Sequence, residues 1–267
     1  MNETPYYGPA SRIFSVEGKK AVVTGGSRGL GREMALCLLE NGCDVFLLAR
    51  NPAPCAQVEA YARSIGRECR SLACDVTKSE DVAAAVDAAL AAMGRIDILI
   101  NAAGSNILHF LEDMDDGSWD TVVRTNLTSV FLMTRETVRR AMRPQRYGKI
   151  ISLSSVKAFL GTALTGHSAY CAAKAGVTML TKQLACETAA DGITVNAIAP
   201  TFIKTDINAA LLEDPSFRGP LVKRIPVGRI GEFRDLCGLT LLLASDASQF
   251  ITGQTLMLDG GLTARQE

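Results

Sequence analysis

The stretch SAYCAAKAGV, residues 168–177, sets a phenol and an amine four positions apart among small side chains. On a helix, positions i and i+4 share a face, so the Lys174 ammonium lies near the Tyr170 hydroxyl. A neighbouring cation favours phenolate and lowers a pKa that starts near about 10. The pair is therefore a candidate acid/base device, and its structural alternative is a surface tyrosine beside a solvated lysine. Nothing within these ten residues separates the two readings. The separation comes from whether the rest of the chain places a reactant over the pair.

A second chemical feature is TGGSRGLG at residues 24–31. Glycines 25, 29 and 31 let the chain turn tightly and let backbone amides approach a pyrophosphate at a helix N-terminus, where the dipole also favours the anion. Such a string is informative only between a strand and a helix. KKAVVTG before it reads as a buried strand, and residues 29–40 after it as a helix.

The same alternation continues along the chain. Strands are expected in CDVFLLAR (43–50), CRSLACDV (69–76), RIDILINAAG (95–104), GKIISLSS (148–155), GITVNAIAP (192–200) and QTLMLDG (254–260). Helices are expected over 54–65, 79–93 with Ser79 as N-cap, 116–142 ending before Pro144, 168–191 and 232–245. Strands separated by helices demand right-handed crossovers and a parallel sheet covered on both faces. The expectation is a single-domain α/β Rossmann fold with seven parallel strands, doubly wound, over residues 18–267. Residues 1–17 form an N-terminal extension. Residues 201–230 interrupt the alternation with three prolines, after a strand's carboxyl end, where such sheets carry substrate-covering loops.

Composition removes several function classes. Lys plus Arg equals Asp plus Glu, 28 each, so no overall positive field marks a nucleic-acid binder. Eight cysteines without a C-x-x-C, and two histidines, His109 and His167, give neither a zinc site nor a compact disulfide framework. The cysteines are expected to be reduced thiols in a cytoplasmic protein, and no metal is expected. The first fifteen residues lack an apolar signal core, and no apolar run approaches a membrane span.

The Gly-x-x-x-Gly-x-Gly spacing, NAAG at 101–104, Asn126, SLSSV at 152–156, Tyr-x-x-x-Lys at 170–174 and VNAIAP at 195–200 together resemble the short-chain dehydrogenase/reductase family, over about residues 18–261. The resemblance implies Tyr170 as general acid in carbonyl reduction and base in alcohol oxidation, with Lys174 lowering the phenol pKa and bonding the nicotinamide ribose. It implies Ser155 as hydrogen-bond donor to the substrate oxygen, and Asn126 as the asparagine whose helix distortion holds a water in the proton relay. Fourteen residues separate Ser155 from Tyr170, against about a dozen usual in the family, and Ser154 is the reserve candidate. Cofactor contacts implied are Gly25, Ser27, Arg28, Gly29, Leu30, Gly31, Arg50, Asp75, Val76, Asn101, Ala102, Ala103, Gly104, Tyr170, Lys174, Pro200, Thr201, Ile203 and Thr205. Asp75 resembles the adenine-contacting residue, and capping of the following turn is its structural alternative. Ala102 departs from the second asparagine more common in the family. Thr201 departs from the commoner glycine, restricting the backbone where the nicotinamide amide is expected.

In the Rossmann pattern an acid at the end of the second strand holds a ribose 2′-hydroxyl, whereas arginine accommodates a 2′-phosphate. Here Ala49 stands in the acid's place and Arg50 follows. Together with Arg28, similar to a basic residue of NADP-dependent members, this favours NADP(H) over NAD(H). The substrate mouth is expected to involve Asn106, Ser155, Lys157, Phe159, His167, Phe202, Ile203 and Thr205. Lys157 is placed to meet an anionic group or else is a solvated loop lysine; His167 contacts substrate or else is an incidental loop histidine without a partner. Residues 211–261 resemble the branch holding sugar-acid and polyol dehydrogenases, gluconate 5-dehydrogenase among them, and also 3-oxoacyl-carrier-protein reductases. The implied reaction is NADP(H)-dependent hydride transfer between a ketone and a secondary alcohol, with a sugar acid or polyol as substrate and a 3-oxoacyl thioester as the alternative. A non-catalytic NADP(H)-sensing regulator on the same sheet is the competing class, disfavoured because all four catalytic positions are filled. An epimerase or dehydratase of the extended relatives fits poorly with the spacing of the glycine turn. Family members pair helices equivalent to 116–142 and 168–190, which implies a homotetramer.

Overall fold

A computed structural model of the chain describes residues 10–163, 165–206 and 208–265. The first nine residues of the expected N-terminal extension, and residues 164, 207, 266 and 267, lie outside the described residues. Of the extension's remainder, Ala10–Ile13 forms one helical turn, and Val16 is fully buried in the core.

Seven parallel strands form one sheet in the order β3-β2-β1-β4-β5-β6-β7: β1 Lys20–Thr24, β2 Asp44–Ala49, β3 Cys69–Ala73, β4 Ile98–Asn101, β5 Gly148–Leu153, β6 Ile193–Pro200 and β7 Thr255–Leu258. Both faces are covered, so the inner strands are largely buried along their length rather than alternating, while the edge strand β3 carries Arg70 and Ser71. The pleat divides each run between two cores. Val23, Leu47, Ile100, Ile151 and Ile198 pack against the helices Gly29–Glu40, Cys55–Ser64 and Phe233–Ala244. Val22, Phe46, Leu99, Ile150 and Val195 pack against Ser79–Met93, the helical run 116–145 and Ser168–Thr188. The expected fold is observed, with strand order reversing between β1 and β4. Such a reversal opens a crevice at the strands' carboxyl ends.

Three expectations are corrected. The Ser79–Met93 helix has Lys78, not Ser79, at its N-cap, with no side-chain cap; Ser79 is already inside the first turn. The long helix does not stop before Pro144 but runs to Gln145. The preceding turn, Val138–Met142, is a π turn in which the Arg143 N–H reaches the Val138 carbonyl five residues back, and this shift of bonding register accommodates a residue that lacks an N–H. Finally, Cys37 and Cys237 are joined in a disulfide, with Cα atoms 6.0 Å apart. They stand on neighbouring helices of one face, a proximity that a sequence separation of 200 hides. The other six cysteines are free.

Candidate active site

The crevice between the ends of β1 and β4 is built by backbone closeness. Gly25 (φ +68°) and Gly29 (φ +58°) adopt the left-handed conformation open to glycine. A Cβ at Gly25 would stand 2.9 Å from the Ala103 backbone, and one at Gly31 2.6 Å from the Gly25 carbonyl oxygen. Thr24, at the end of β1, accepts hydrogen bonds from the Ala102 and Ala103 amides at 3.0 and 3.1 Å. Its hydroxyl thereby ties the chain after β4 to the chain after β1, a role the sequence reading did not assign. Above this turn begins the Gly29–Glu40 helix, whose N-cap, Arg28, supplies no side-chain cap. The first-turn amides are left for an anion.

Across the crevice, Tyr170 and Lys174 lie on the Ser168–Thr188 helix with the Lys174 Nζ 5.5 Å from the centre of the Tyr170 ring. The Tyr170 hydroxyl faces Ser155, close enough for that side chain to act on its pKa. Ser155 is buried at the end of β5, where it also accepts from the Lys157 amide at 3.1 Å and so caps the turn Val156–Ala158. Ser154 points elsewhere, donating to the Lys174 carbonyl at 3.1 Å and meeting the Thr178 hydroxyl at 3.0 Å. Geometry therefore selects Ser155, and Ser154 is a packing residue. Lys174 is buried and donates to the Leu153 carbonyl at 2.6 Å.

The electrostatics differ from expectation. Burial raises the Tyr170 pKa, opposed only by Ser155, and burial lowers Lys174 to about 8. The expected lowering of the phenol by Lys174 is not what this site shows, because the amine is engaged with Leu153 and both groups have lost water. Tyr170 is accordingly a protonated phenol at neutral pH.

Asn126 sits in a π turn, Arg124–Thr128, where the Ser129 N–H bonds to the Arg124 carbonyl. Its Nδ2 donates to the Ser105 and Val122 carbonyls at 2.6 and 2.9 Å, while its buried Oδ1 has no partner. A Cβ at Gly104 would lie 2.8 Å from that oxygen and 3.9 Å from the Lys174 Nζ, so the absent side chain keeps open the space between the two. The buried Thr201 Oγ1 is likewise unpartnered. A cradle closed to side chains, an uncapped helix start, and an orphaned acceptor near Lys174 fit a nicotinamide dinucleotide.

The remaining expected residues divide. Ser27 and Leu30 are half-buried in the glycine turn, and Val76 is buried beyond β3. Arg28 and Arg50 are exposed at the rim, and Arg50 is near enough to Asp75 to lower that carboxyl, after the stronger hydrogen bonds from Thr77. Asp75 Oδ1 accepts both the Thr77 amide and hydroxyl, so its observed side-chain role is the turn cap. The Asn101 amide donates inside the protein, to the Thr134 and Ser152 hydroxyls at 3.3 Å each, while its buried Oδ1 has no partner. Pro200 ends β6, and the Thr201 amide bonds to Leu258. Ile203 and Thr205 are buried, held by Asn208, which donates to the Ile203 carbonyl and accepts from the Thr205 amide. Arg32 reaches across from the glycine-turn helix to Asp206 at 3.1 Å.

At the mouth, Asn106 and Phe159 are exposed. Phe202 packs edge-on to Phe217, 5.8 Å between ring centres, beside Leu212, Ile225 and Ile230 in a small separate core. That core folds residues 201–230 into a lobe with two helices, Ala209–Glu213 and Pro215–Lys223. His167 is not the partnerless histidine expected: its Nδ1 is 2.7 Å from the Thr165 hydroxyl, and its ring stands edge-on to Tyr170 at 6.3 Å. Lys157 is half-buried, and burial pushes its ammonium pKa down.

A Rossmann sheet with a glycine turn and a joined serine, tyrosine and lysine at its crevice defines a nicotinamide-dependent dehydrogenase site. Comparisons with known proteins agree. A family model described as enoyl-(acyl carrier protein) reductase matches residues 25–263. The 3-oxoacyl-[acyl-carrier-protein] reductase of Vibrio harveyi is 39% identical over 249 residues, covering 93% of this chain and 99% of the relative. That of Chlamydia pneumoniae is 40% identical over 250 residues, covering 94% and 99%. Among solved structures, a gluconate 5-dehydrogenase from Burkholderia cenocepacia in complex with NADP and tartrate superposes with a TM-score of 0.90 at 36% identity, covering 96% of this chain and all of that one. The chain belongs to the short-chain dehydrogenase/reductase family, oxidoreductases that act on CH–OH and keto groups.

Proposed function

We propose that the protein is a ketone reductase that prefers NADP(H) to NAD(H), with Asn126, Ser155, Tyr170 and Lys174 as its catalytic residues. The observation that carries this reading is Ser155 set against the Tyr170 hydroxyl with Lys174 packed beside the ring. When bound, the nicotinamide supplies the hydride in reduction and accepts it in oxidation. Ser155 donates to the substrate oxygen as negative charge develops there. Tyr170, protonated at neutral pH, delivers its proton to the same oxygen. Asn126 Oδ1 orders a water by which Lys174 and Tyr170 recover that proton. The glycine turn and the residues of 101–104 hold the dinucleotide against the ends of β1 and β4, with Thr201, Ile203 and Thr205 closing over it.

The preference for NADP(H) rests on Arg28 and Arg50 at the rim and on Ala49, which leaves no carboxylate at the end of β2 to repel a phosphate. A bound NADP in the Burkholderia cenocepacia structure supports it. The proposed substrate is a sugar acid or polyol, supported by the gluconate dehydrogenase likeness. The second reading, reduction of a 3-oxoacyl thioester, is favoured by the carrier-protein reductases at 39% and 40% identity. In this reading residues 1–17 extend a dinucleotide domain of 18–267, and residues 201–230 cover the substrate. Half-exposed Trp119, Phe131 and Met179 on the 116–145 and Ser168–Thr188 helices support pairing into a homotetramer. Six free cysteines support a cytoplasmic protein. Among the described residues, no helix is long and apolar enough to cross a membrane.

The test is oxidation of NADPH and of NADH against 5-ketogluconate, acetoacetyl-coenzyme A and simple ketones. NADPH is expected to win by at least about tenfold in kcat/KM, about 1.4 kcal/mol. Tyr170→Phe is expected to lower kcat by roughly 10²–10⁴-fold while NADPH still binds, as read by its fluorescence. Undiminished turnover in that variant removes the mechanism.

A further inference from the structure

Of the chain's eight cysteines one pair is joined, Cys37 with Cys237, their Cα atoms 6.0 Å apart across a sequence separation of 200. Each stands on an element that serves the crevice. Cys37 lies on the Gly29–Glu40 helix, roughly 9 Å along the axis from Gly31 of the phosphate-binding turn. Cys237 lies on the Phe233–Ala244 helix, to which the root of the 201–230 lobe is fastened. There the Gly231 amide donates to the Phe202 carbonyl at 3.1 Å and the Lys204 amide to the Gly231 carbonyl at 2.9 Å. Arg229, at the end of the lobe, holds Asp235 of the helix's first turn by two bonds of 2.7 and 2.8 Å. On the other side Arg32, in the first turn of the glycine-turn helix, reaches Asp206 of the lobe at 3.1 Å. The Asp206 side chain is 71% exposed, and so exposed an ion pair holds little. Beyond apolar packing, the covalent bond is therefore the firm tie between the helix that carries the phosphate-binding turn and the root of the lobe that closes over the crevice.

The two sulfurs differ in access. Cys37 is 3% exposed, whereas Cys237 is half-exposed, so an incoming thiolate attacks at Cys237 and expels Cys37. Among the free cysteines, Cys43, Cys55, Cys69 and Cys74 are buried, and burial raises each thiol above its ordinary pKa; they supply little thiolate to compete. In a chain that keeps six thiols, an isolated disulfide belongs to the transient, redox-sensing kind rather than to a disulfide framework.

We infer that Cys37–Cys237 is a reversible thiol–disulfide exchange site for small thiols and disulfides of the glutathione type, and that its closed form holds NADP(H) more tightly than its open form. The affinity change rests on the cofactor reading above. In opening, a glutathione thiolate bonds to the Cys237 sulfur, the Cys37–Cys237 bond breaks, and Cys37 leaves as a thiolate that takes a proton. A second glutathione thiolate then attacks the glutathione sulfur of the mixed disulfide, releasing Cys237 and glutathione disulfide. The protein gains two electrons and two protons, and two glutathione molecules are oxidised; the reverse sequence closes the bond. Closure fixes the phosphate-binding helix against the root of the lobe before the dinucleotide arrives, so less ordering is left for binding to impose.

The test titrates NADPH, followed by its fluorescence, into protein equilibrated with glutathione disulfide and into protein equilibrated with reduced glutathione. In each form the thiols are alkylated, counted and mapped. The reduced form is expected to show two further thiols, at Cys37 and Cys237, and a Kd for NADPH higher by about three- to tenfold. Cys237→Ser is expected to show the weaker affinity under both conditions, with Cys37→Ala as a second variant of the same expected behaviour, while Cys186→Ser keeps the full response. Equal affinity in the two forms, a bond that dithiothreitol does not open in the folded protein, or a redox response that persists in Cys237→Ser overturns the inference and leaves the reductase standing. Absence of NADPH binding in both forms overturns the cofactor reading and the inference with it.

Discussion

At the residue scale the chemistry turns on which hydroxyl meets Tyr170. Two adjacent serines differ only in direction: along a strand, successive side chains leave on opposite sides, and here one enters the crevice while the other enters the Ser168–Thr188 helix. Ser155→Ala is expected to lower kcat by roughly 10²–10³-fold, the usual loss for an oxyanion donor. Ser154→Ala is expected to cost roughly 1 kcal/mol of stability for its two hydroxyl contacts, with kcat within a few-fold. Steady-state kinetics and urea denaturation of the two variants separate the roles, and a reversed pattern reassigns the serine. The proximity of Tyr170 and Lys174 was legible from their spacing. The direction of their pKa shifts was not, since desolvation depends on burial by segments distant in the chain.

At the element scale the phosphate-binding turn depends on backbone clearance. Alanine at Gly31 sets a Cβ 2.6 Å from the Gly25 carbonyl and 3.1 Å from the Ala102 Cβ, atoms that cannot swing aside. Gly31→Ala is expected to destabilise the fold by about 1–3 kcal/mol and to weaken NADPH binding by at least about tenfold, about 1.4 kcal/mol. Calorimetric titration with NADPH checks this, and unchanged affinity contradicts the cradle. Element positions were largely readable from apolar periodicity: the Gly29–Glu40 and Ser79–Met93 helices begin and end where their patterns do. Within the 116–145 helix the distortion at Asn126 was implied by the family resemblance, and the second π turn, Val138–Met142, was not read. That second turn stands just before Pro144, which has no N–H to donate.

At the scale of the whole molecule the sheet has two unlike ends. The carboxyl end holds the reactive groups, while the amino end holds Lys149, almost fully buried, with its amine 3.5 Å from the Ser248 hydroxyl and above the Tyr147 ring. Burial lowers the Lys149 pKa to about 8, with Asp246 acting the other way. An unfolded lysine keeps its proton to about 10.4. Below pH 8 both states are protonated and the folded state carries the full cost of a buried ammonium; as pH rises from 8 toward about 10.4 the folded amine neutralises first and the cost disappears. Lys149→Met is therefore expected to stabilise by about 1–3 kcal/mol at pH 7, with the advantage shrinking by pH 9.5. Urea denaturation at the two pH values reads it, and a pH-independent difference contradicts the sign.

The sequence by itself determined the layered parallel architecture, the glycine turn and the Tyr170–Lys174 face, because each follows from local spacing and periodicity that no tertiary contact needs to supply. The tertiary structure decided the Cys37–Cys237 pairing, the inward turn of the Asn101 amide and the choice of Ser155 over Ser154. Each of these joins or orients groups through three-dimensional packing, and direction and proximity across a fold are set by how helices and lobe settle on the sheet rather than by any pattern along the chain.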